Sequence, residues 1–168
     1  MKNNSLKARA QGLSDYESLA EVRYQLRRFL HFSEQVAREA GLEPQQHQLL
    51  LAVKGLPEGT RPRVAELAER LQIKHHSAVE LIDRLALAGC VKRHRAGKDR
   101  REVLIALTPK GEKILRELSD HHRAELQKRG PLLIDALKRA MATKNGPRPR
   151  LSSRGERTSG KRRTRVES

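Results

Sequence analysis

Two short amphipathic segments separated by only three residues constrain the fold of this chain most strongly. Residues 64–71 and 75–88 both place apolar side chains at helical spacing. The link of residues 72–74 between them is long enough only for a tight turn, and Gly89 is placed to end the second helix. Two short helices around such a turn predict a helix-turn-helix.

The second of these helices is predicted to have one packed face and one free face. In a helix-turn-helix, the free face near the N-terminal end of the second helix enters the DNA major groove. The apolar residues predicted to pack inward are Ala78, Leu81, Ile82, Leu85 and Ala88. The candidate groove-facing residues are His75, His76, Ser77, Val79, Glu80 and Arg84.

The chemistry of these groove-facing residues suggests individual roles. Ser77 and the two histidines can donate to phosphates or base edges, and the apolar Val79 suits a thymine methyl group. Two roles are open to Glu80, which can accept from cytosine N4 or pair with Arg84 one helical turn later. We favour the pair with Arg84, because a free carboxylate would repel the duplex.

A basic strand-turn-strand follows the two helices. Gly97 and Asp99 suit its turn, and the returning strand over residues 102–107 is rich in β-formers. Residues 91–101 hold six Lys or Arg and one acidic residue. Such a hairpin can follow the DNA backbone and insert guanidinium groups into a narrow minor groove; the alternative is a solvated basic hairpin. The candidate contacts are Arg95, Lys98, Arg100 and Arg101.

Several of these motifs resemble the MarR (multiple antibiotic resistance regulator) family. The similar segments are Ala65-Glu66-Leu67-Ala68, Leu81-Ile82-Asp83-Arg84-Leu85, Gly89-Cys90-Val91-Lys92-Arg93, Asp99-Arg100-Arg101 and Leu107-Thr108-Pro109-Lys110-Gly111. The last two segments, at their mutual distance, are the most specific part of the similarity. The chain departs from the family's usual residues at Lys74 and Glu80, which leaves the base readout open.

The resemblance implies roles for the wing and an assembly. Arg100 or Arg101 is expected to enter the minor groove, while Asp99 anchors the wing through a neighbouring arginine. The first and last helices of two subunits are expected to interlock, so that the homodimer straddles a palindromic operator in double-stranded DNA. Many family members release DNA when a small aromatic acid or phenol binds. The candidate effector-binding residues are Tyr24, His31 and Phe32, whereas Phe29 is expected in the dimer core.

The N-terminal part of the chain carries apolar residues at helical spacing. Ser14 and Glu17 have capping-box spacing, so the first helix is predicted to start at Ser14 and to end at Gly41. A second helix is predicted to start at Pro44 and to stop at Gly55.

The C-terminal part carries a second apolar stripe. Thr108 is predicted to cap a helix that Gly130 and Pro131 break before a final helix. The stripes at the two ends exceed what one winged domain covers, so we expect a second copy to cover them. The alternative is that they pack within one chain.

The predicted fold class is mainly α with a small β-hairpin wing (α+β). It is a winged helix-turn-helix with N- and C-terminal dimerisation helices. The predicted divisions are a flexible N-terminus (1–13), N-terminal helices (14–55), the DNA-binding domain (56–111), C-terminal dimerisation helices (112–142) and a disordered basic tail (143–168). The tail holds nine Lys or Arg against two acidic residues, so it either adds non-specific phosphate affinity or has no specific role.

Charge and cysteine usage restrict the function classes. A net charge of +16 favours a polyanionic partner such as nucleic acid. No apolar run approaches the ~20 residues that span a bilayer, so no membrane partner is expected. The single cysteine, Cys90, excludes an internal disulfide and suits a cytoplasmic, nucleoid-associated protein. We expect Cys90 to be a buried structural thiol, the alternative being a redox switch.

Other function classes find little support in the sequence. The seven histidines include two adjacent pairs, His75/His76 and His121/His122, and no His-x3-His spacing, so neither a metal nor another cofactor is expected. His75 and His76 are candidates for making DNA binding depend on pH. Phosphate loops and nucleophile elbows are absent from the sequence, which argues against an enzyme. The alternative function is a non-specific nucleic-acid-binding or nucleoid-associated structural protein that depends on total charge.

Overall fold

The described part of the chain is mainly helical with a two-stranded hairpin, as the sequence predicts. The computed structural model describes residues 2–95 and 102–142, with side chains from Asp15 onward. The elements in chain order are α1 (Lys2–Glu39), α2 (Pro44–Lys54), α3 (Val64–Leu71), α4 (His75–Leu87), β1 (Val91–Arg95), β2 (Val103–Leu107) and α5 (Pro109–Ala142). The predictions made for Lys98, Asp99, Arg100, Arg101 and the tail of residues 143–168 lie outside the described residues.

The turn between α3 and α4 is as tight as the sequence predicts. Gln72 adopts a left-handed conformation (φ 53°) directly after α3. Its side-chain amide donates to the carbonyl of Glu69 (2.7 Å), and the N–H of Ile73 donates to the carbonyl of Ala68 (3.0 Å). These bonds satisfy carbonyls that the end of α3 leaves free, so the chain reverses within three residues.

The core of the winged lobe is aliphatic. Aromatic residues make up 2% of the sequence, so leucine and isoleucine must supply most of the buried area. The largest fully buried side chains are Leu49, Leu50, Leu67, Leu81, Ile82, Leu85, Ile105, Leu118 and Cys90. They come from α2 to α5 and both sides of the helix-turn-helix, so this core fixes the orientation of α4.

The hairpin has an inner end on the core and an outer end away from it. Val91 lies opposite Leu107 at the inner end, and Arg95 lies opposite Val103 at the outer end. The inner end continues directly into α5, where the N–H of Thr108 donates to the carbonyl of Cys90 (3.0 Å). The hairpin is therefore continuous with the lobe core at one end only.

The start of α5 is packed closely on the segment that follows α4. The Thr108 hydroxyl donates to the carbonyl of Gly89 (2.6 Å) and accepts from the N–H of Gly111 (3.2 Å), which confirms the predicted cap. Gly111 has no room for a side chain, because a Cβ there would lie 2.1 Å from the carbonyl oxygen of Cys90.

α1 and α5 pack along each other and form the second part of the molecule. α1 begins at Lys2, so the predicted start at Ser14 is wrong. Residues 2–13 contain no proline and are mostly good helix formers, so nothing stops the helix at Ser14. The segment of residues 1–13, predicted as a flexible N-terminus, is thus helical from Lys2. The helix ends before Gly41 (φ 75°), as expected.

α5 continues through Gly130 and Pro131, so the predicted break is wrong. An interior proline removes one backbone hydrogen bond and costs about 3 kcal/mol. Packing on α1 offsets that cost on both sides of the proline, because Leu126 and Leu133 line one small cavity with Phe29 of α1. Ala136 is also fully buried, one turn further on.

Candidate nucleic-acid interface

α4 has the two faces that the sequence predicts. Ala78, Leu81, Ile82 and Leu85 are buried in the lobe core. Ala88 is exposed, so its predicted inward packing is wrong. It lies at the C-cap, where the chain already turns towards Gly89.

The N-terminal end of α4 is exposed and cationic. Lys74 occupies the N-cap in an extended conformation and forms no side-chain cap hydrogen bond. Lys74, His75 and His76 are all exposed. The positive end of the helix dipole adds to the charge of Lys74 at this point, which favours an anion such as a phosphate.

The other predicted groove-facing residues differ in accessibility. Glu80 and Arg84 are exposed, whereas Ser77 and Val79 are half-buried. All six predicted residues therefore lie on α4, but Ser77 and Val79 are only partly accessible to a binding partner. The contacts available to Val79 and Ser77 are restricted to the outermost atoms of their side chains.

The ion pairs of α4 differ from the prediction. No ion pair joins Glu80 to Arg84 within the residues that the structure describes, so the favoured intrahelical pair is wrong. Asp83 instead pairs with Arg93 of β1, with 2.5 Å between Oδ1 and Nη1. This pair ties the free side of α4 to the hairpin. Helical spacing did not indicate it, because the partner lies on another element.

The outer end of the hairpin is flanked by Arg95 on one side of the turn and by Glu102 on the other. Arg95 is exposed and lies opposite Val103. Arg93 and His94 before it are also exposed. Arg95 is thus placed as a candidate contact, while Asp99 and the remaining basic wing residues lie outside the described part.

A charged cluster holds this outer end to the segment before α3. We call Arg61, Arg63 and Glu102 the outer-end cluster. Arg61 Nη1 lies 2.5 Å from Glu102 Oε2, and Arg63 pairs with the other carboxylate oxygen. A backbone hydrogen bond adds to these ion pairs, because the N–H of Ile105 donates to the carbonyl of Pro62 (3.0 Å). The segment that precedes α3 therefore lies along β2.

The outer-end cluster was missed by sequence reasoning. Its partners are 41 and 39 residues apart, and no local pattern indicates their contact. The Glu102 side chain is 11% exposed, while those of Arg61 and Arg63 are 58% and 59% exposed. Desolvation acts to raise the pKa of the Glu102 carboxyl, but the hydrogen bonds and charges of Arg63 and Arg61 outweigh it and lower that pKa.

A pair of histidines joins α2 to the α1–α5 pair. His47 is buried and stacks on His122, with 4.7 Å between ring centroids. Phe29 and Phe32 of α1 contact the His122 ring edge-on. Burial, together with the charge of His122, lowers the pKa of His47 to about 4. His47 is therefore neutral at physiological pH and behaves as part of the core.

Both ring nitrogens of His122 have hydrogen-bond partners. Nδ1 lies 2.5 Å from the carbonyl oxygen of Leu118, which can only accept, so Nδ1 donates. Nε2 lies 2.7 Å from the hydroxyl oxygen of Ser33. The two histidines of the adjacent pair His121/His122 therefore differ: His122 is part of this hydrogen-bonded contact, whereas His121 is exposed. Among the described residues, no group of three or more His, Cys, Asp or Glu lies together.

The predicted effector-binding residues are not brought together. Tyr24 and His31 are exposed on α1, where the Arg28 guanidinium lies over the Tyr24 ring at 5.4 Å. Phe32 instead packs on His122. A cavity of about 240 Å³ opens between α2, β2 and α5. Its lining consists of Lys54, Leu107, Glu112, Leu115, Arg116, Ser119, Asp120 and Arg123.

Cys90 is 1% exposed and lies in the lobe core. Its thiol contacts the carbonyl oxygen of Ala88 at 3.8 Å. The expectation of a buried thiol is confirmed. Within the residues that the structure describes, no helix combines the length and apolar character that crossing a membrane requires.

Comparison with known proteins finds similarity to one family of transcriptional regulators. The model of the MarR family matches residues 40–102, which contain α2, both helices of the helix-turn-helix and β1. A curated relative, the uncharacterized HTH-type transcriptional regulator YfiV of Bacillus subtilis (strain 168), is 33% identical over 79 residues. Over these residues the chain is similar to the MarR family. The match covers 47% of this chain and 49% of the relative, so the chain spans about half the length of the relative.

Solved MarR structures share the fold. AbsC, a MarR family transcriptional regulator from Streptomyces coelicolor, is 26% identical with a TM-score of 0.56, over 71% of this chain and 76% of AbsC. A MarR family protein from Bacillus stearothermophilus is 23% identical with a TM-score of 0.57, over 71% and 79% of the two chains. The latter likeness concerns the fold alone. The curated relative is named as a transcriptional regulator, and the matched segment is the one that contains the helix-turn-helix.

Proposed function

We propose that this chain is a transcriptional repressor that binds a palindromic operator as a homodimer. The observation that carries the proposal is the exposed cationic end of α4 beside the outer end of a basic hairpin. Lys74, His75 and His76 lie on the first, and Arg95 lies on the second. A helix fits the major groove, and cationic side chains next to it suit the flanking phosphates and the minor groove.

Among the described residues Glu80 forms no ion pair, and this sharpens the proposed readout. Because Glu80 forms no ion pair with Arg84, the role that remains is that of an acceptor for cytosine N4. Arg84 is then free to reach a phosphate from the C-terminal half of α4. In this proposal Arg100 or Arg101 enters the minor groove, and Asp99 holds the tip.

The homodimer is supported by apolar side chains that the described chain leaves exposed on both long helices. A second copy is the simplest cover for two such stripes, and two-fold symmetry then requires a palindromic site. On α1 these residues are Tyr16, Leu19, Tyr24, Leu26 and Leu30, and on α5 they are Leu126, Leu132, Ile134, Leu137 and Met141.

Release by a small effector is the second part of the proposal. The cavity between α2, β2 and α5 is lined by residues of the winged lobe and of the long helix α5, so a molecule bound there would act on the angle between them. Titration of the protein–DNA complex with salicylate and with benzoate would test this part. Release of the duplex at concentrations that leave the dimer intact supports it, and an unchanged complex contradicts it.

The decisive experiment is selection of a duplex from a random-sequence pool, followed by gel-shift titration. We expect a palindromic duplex to bind far more tightly than a scrambled duplex of equal length. Arg100→Ala and Arg101→Ala are each tested, and loss of the minor-groove arginine should weaken binding roughly tenfold or more. If both variants bind as the parent protein does, the assignment of the wing is wrong.

Deletion of residues 143–168 separates this proposal from the charge-driven alternative. A repressor keeps its preference for the palindrome after the deletion, although its affinity for every duplex falls. A non-specific binder that depends on total charge loses most of its affinity and shows no preference before or after the deletion.

A further inference from the structure

The outer-end cluster lies where the hairpin leads into its tip. Arg95 and Val103 form the last described pair of the hairpin, and Glu102 directly precedes Val103. Glu102 is therefore the first described residue after the tip, and Arg101 is its immediate neighbour in the chain. The backbone position of Glu102 therefore fixes the point at which the chain enters β2.

Two independent kinds of contact fix the backbone at this point. The Glu102 carboxylate is shared between Arg61 and Arg63, one guanidinium on each oxygen. The N–H of Ile105 donates to the carbonyl of Pro62, between the two arginines in sequence. Arg63 is also the N-cap residue of α3. The outer end of β2 is thus held to the first helix of the helix-turn-helix.

The burial of the cluster shows which of its members is structural. Glu102 is 11% exposed, whereas the two arginines remain more than half exposed. A carboxylate beside DNA would be repelled by phosphates, but here two guanidiniums surround it and leave a net charge of +1. Glu102 therefore does not contact DNA in this arrangement; it holds two cations and the strand in place.

We propose that Glu102 is the positioning residue of the wing. By holding β2 against Arg61 and Arg63, it sets the direction of the tip and so the approach of the wing arginines to the minor groove. This inference rests on the proposed DNA binding. Glu102 would act on DNA binding only through the wing, and its role is separate from the anchoring role proposed for Asp99.

Charge and positioning predict opposite effects when Glu102 is changed, which makes the inference testable. Glu102→Gln removes a negative charge, so simple electrostatics predicts tighter binding to every duplex. Loss of positioning instead weakens binding to the selected palindrome while binding to the scrambled duplex is unchanged or tighter. We expect the ratio of the two affinities to fall on the order of tenfold, the effect of losing one specific arginine contact.

The matched control is Glu125→Gln. Glu125 pairs with Arg129 on α5 (2.6 Å), and its side chain is 14% exposed, close to the value of Glu102. The control thus breaks one ion pair and removes the same charge at similar burial, far along the chain from the wing. It should leave the affinity ratio at the parent value. An equal fall of the ratio in both variants would overturn the inference.

Glu102→Asp separates geometry from charge and guards against a variant that fails to fold. The charge is kept, but the shorter side chain cannot hold both arginines, so the ratio should fall to an intermediate value. Amide exchange of Ile105 gives a readout of the contact itself. We expect faster exchange in both Glu102 variants, with the exchange of buried α4 amides unchanged; a parent-like rate at Ile105 would contradict the inference.

A double-mutant cycle with Arg100→Ala/Arg101→Ala shows whether Glu102 acts through the wing. If it does, Glu102→Gln has no further effect on the ratio once the wing arginines are absent. Additive effects would overturn the inference and leave the proposed function standing. If no palindrome is selected, or if the arginine variant binds as the parent does, the proposed function fails first and the inference with it.

Discussion

The two ends of the hairpin are held to the molecule by different kinds of interaction. At the inner end, Val91 is buried in the lobe core, and Thr108 hydrogen-bonds to the carbonyls of Gly89 and Cys90. At the outer end, the ion pairs of the outer-end cluster, whose arginines are largely exposed, add to the backbone hydrogen bond from Ile105 to Pro62. The inner end depends mainly on close packing, and the outer end depends mainly on polar contacts.

This difference matches what each end has to do in the proposed function. The inner end connects α4 to α5, so movement at this end would uncouple the proposed DNA-reading helix, α4, from the long helices. The outer end lies beside the proposed DNA backbone contacts, and its ion pairs are screened by the same salt that weakens those contacts. Salt should therefore loosen the outer end and leave the inner end intact.

The largest effect is expected from a side chain added at the inner end. In Gly111→Ala the new Cβ would lie 2.1 Å from the carbonyl oxygen of Cys90, an atom that also accepts from Thr108. Because that backbone cannot shift without breaking its hydrogen bond, we expect the free energy of unfolding to fall by about 3 kcal/mol. Urea unfolding followed by circular dichroism measures the change.

Gly130→Ala is the matched control for this variant. Gly130 lies inside the same helix, and nothing would come within 4 Å of its Cβ. Alanine there meets no other element, so any cost is limited to its contact with the ring of Pro131 and should be smaller than the cost at Gly111. If Gly111→Ala is as stable as Gly130→Ala, the inner end is not closely packed and the contrast between the two ends is lost.

The close packing at the inner end was partly predictable from the sequence. Thr108, Pro109 and Gly111 follow each other in a pattern that indicates a helix start, and such local patterns also located α2, α3 and α4. The need for glycine at Gly111 depends on the position of Cys90, which only the fold determines. Local patterns predict where elements begin, and they do not predict what lies across from them.

The failures of prediction have the same origin. α5 passes through Pro131 because packing on α1 outweighs a local cost. The pairing of Asp83 with Arg93, and of Glu102 with Arg61 and Arg63, joins residues on different elements. Intrahelical spacing pointed instead to Glu80 and Arg84. The buried and exposed faces of α4 could be predicted from periodicity, whereas the contacts that hold the hairpin could not.

A third contact, the stacking of His47 of α2 on His122 of α5, extends the comparison. His47 is neutral at physiological pH and becomes charged in acid. The pKa of His47 is about 4 in the folded protein and 6.5 as an ordinary histidine. As pH falls from 6.5 towards 4, the unfolded chain binds a proton that folded His47 does not, so stability is lost across this window. Urea midpoints at a series of pH values should show this loss.

His47→Gln should flatten the pH dependence in that window, even if the variant is less stable at neutral pH. The control is His121→Gln, which removes an exposed histidine from α5 and should keep the dependence of the parent protein. A parent-like slope in His47→Gln would show that His47 is not the group that responds, and that the contact between α2 and the long helices does not weaken on protonation.

The smallest effect is expected from the outer end. The arginines lower the pKa of Glu102 below its ordinary value of 4.5, so its ion pairs contribute stability at neutral pH that is lost as pH falls through the lowered pKa. Glu102→Gln should therefore lower the unfolding midpoint slightly at neutral pH and low salt, by less than Gly111→Ala does. The difference should shrink when salt is added and again in acid, because both remove the attraction that the variant lacks.

The deficit of Gly111→Ala should persist under both conditions, since a steric clash does not respond to them. If the deficit of Glu102→Gln is equally independent of salt, the outer end is held by packing as well, and the two ends of the hairpin do not differ in kind.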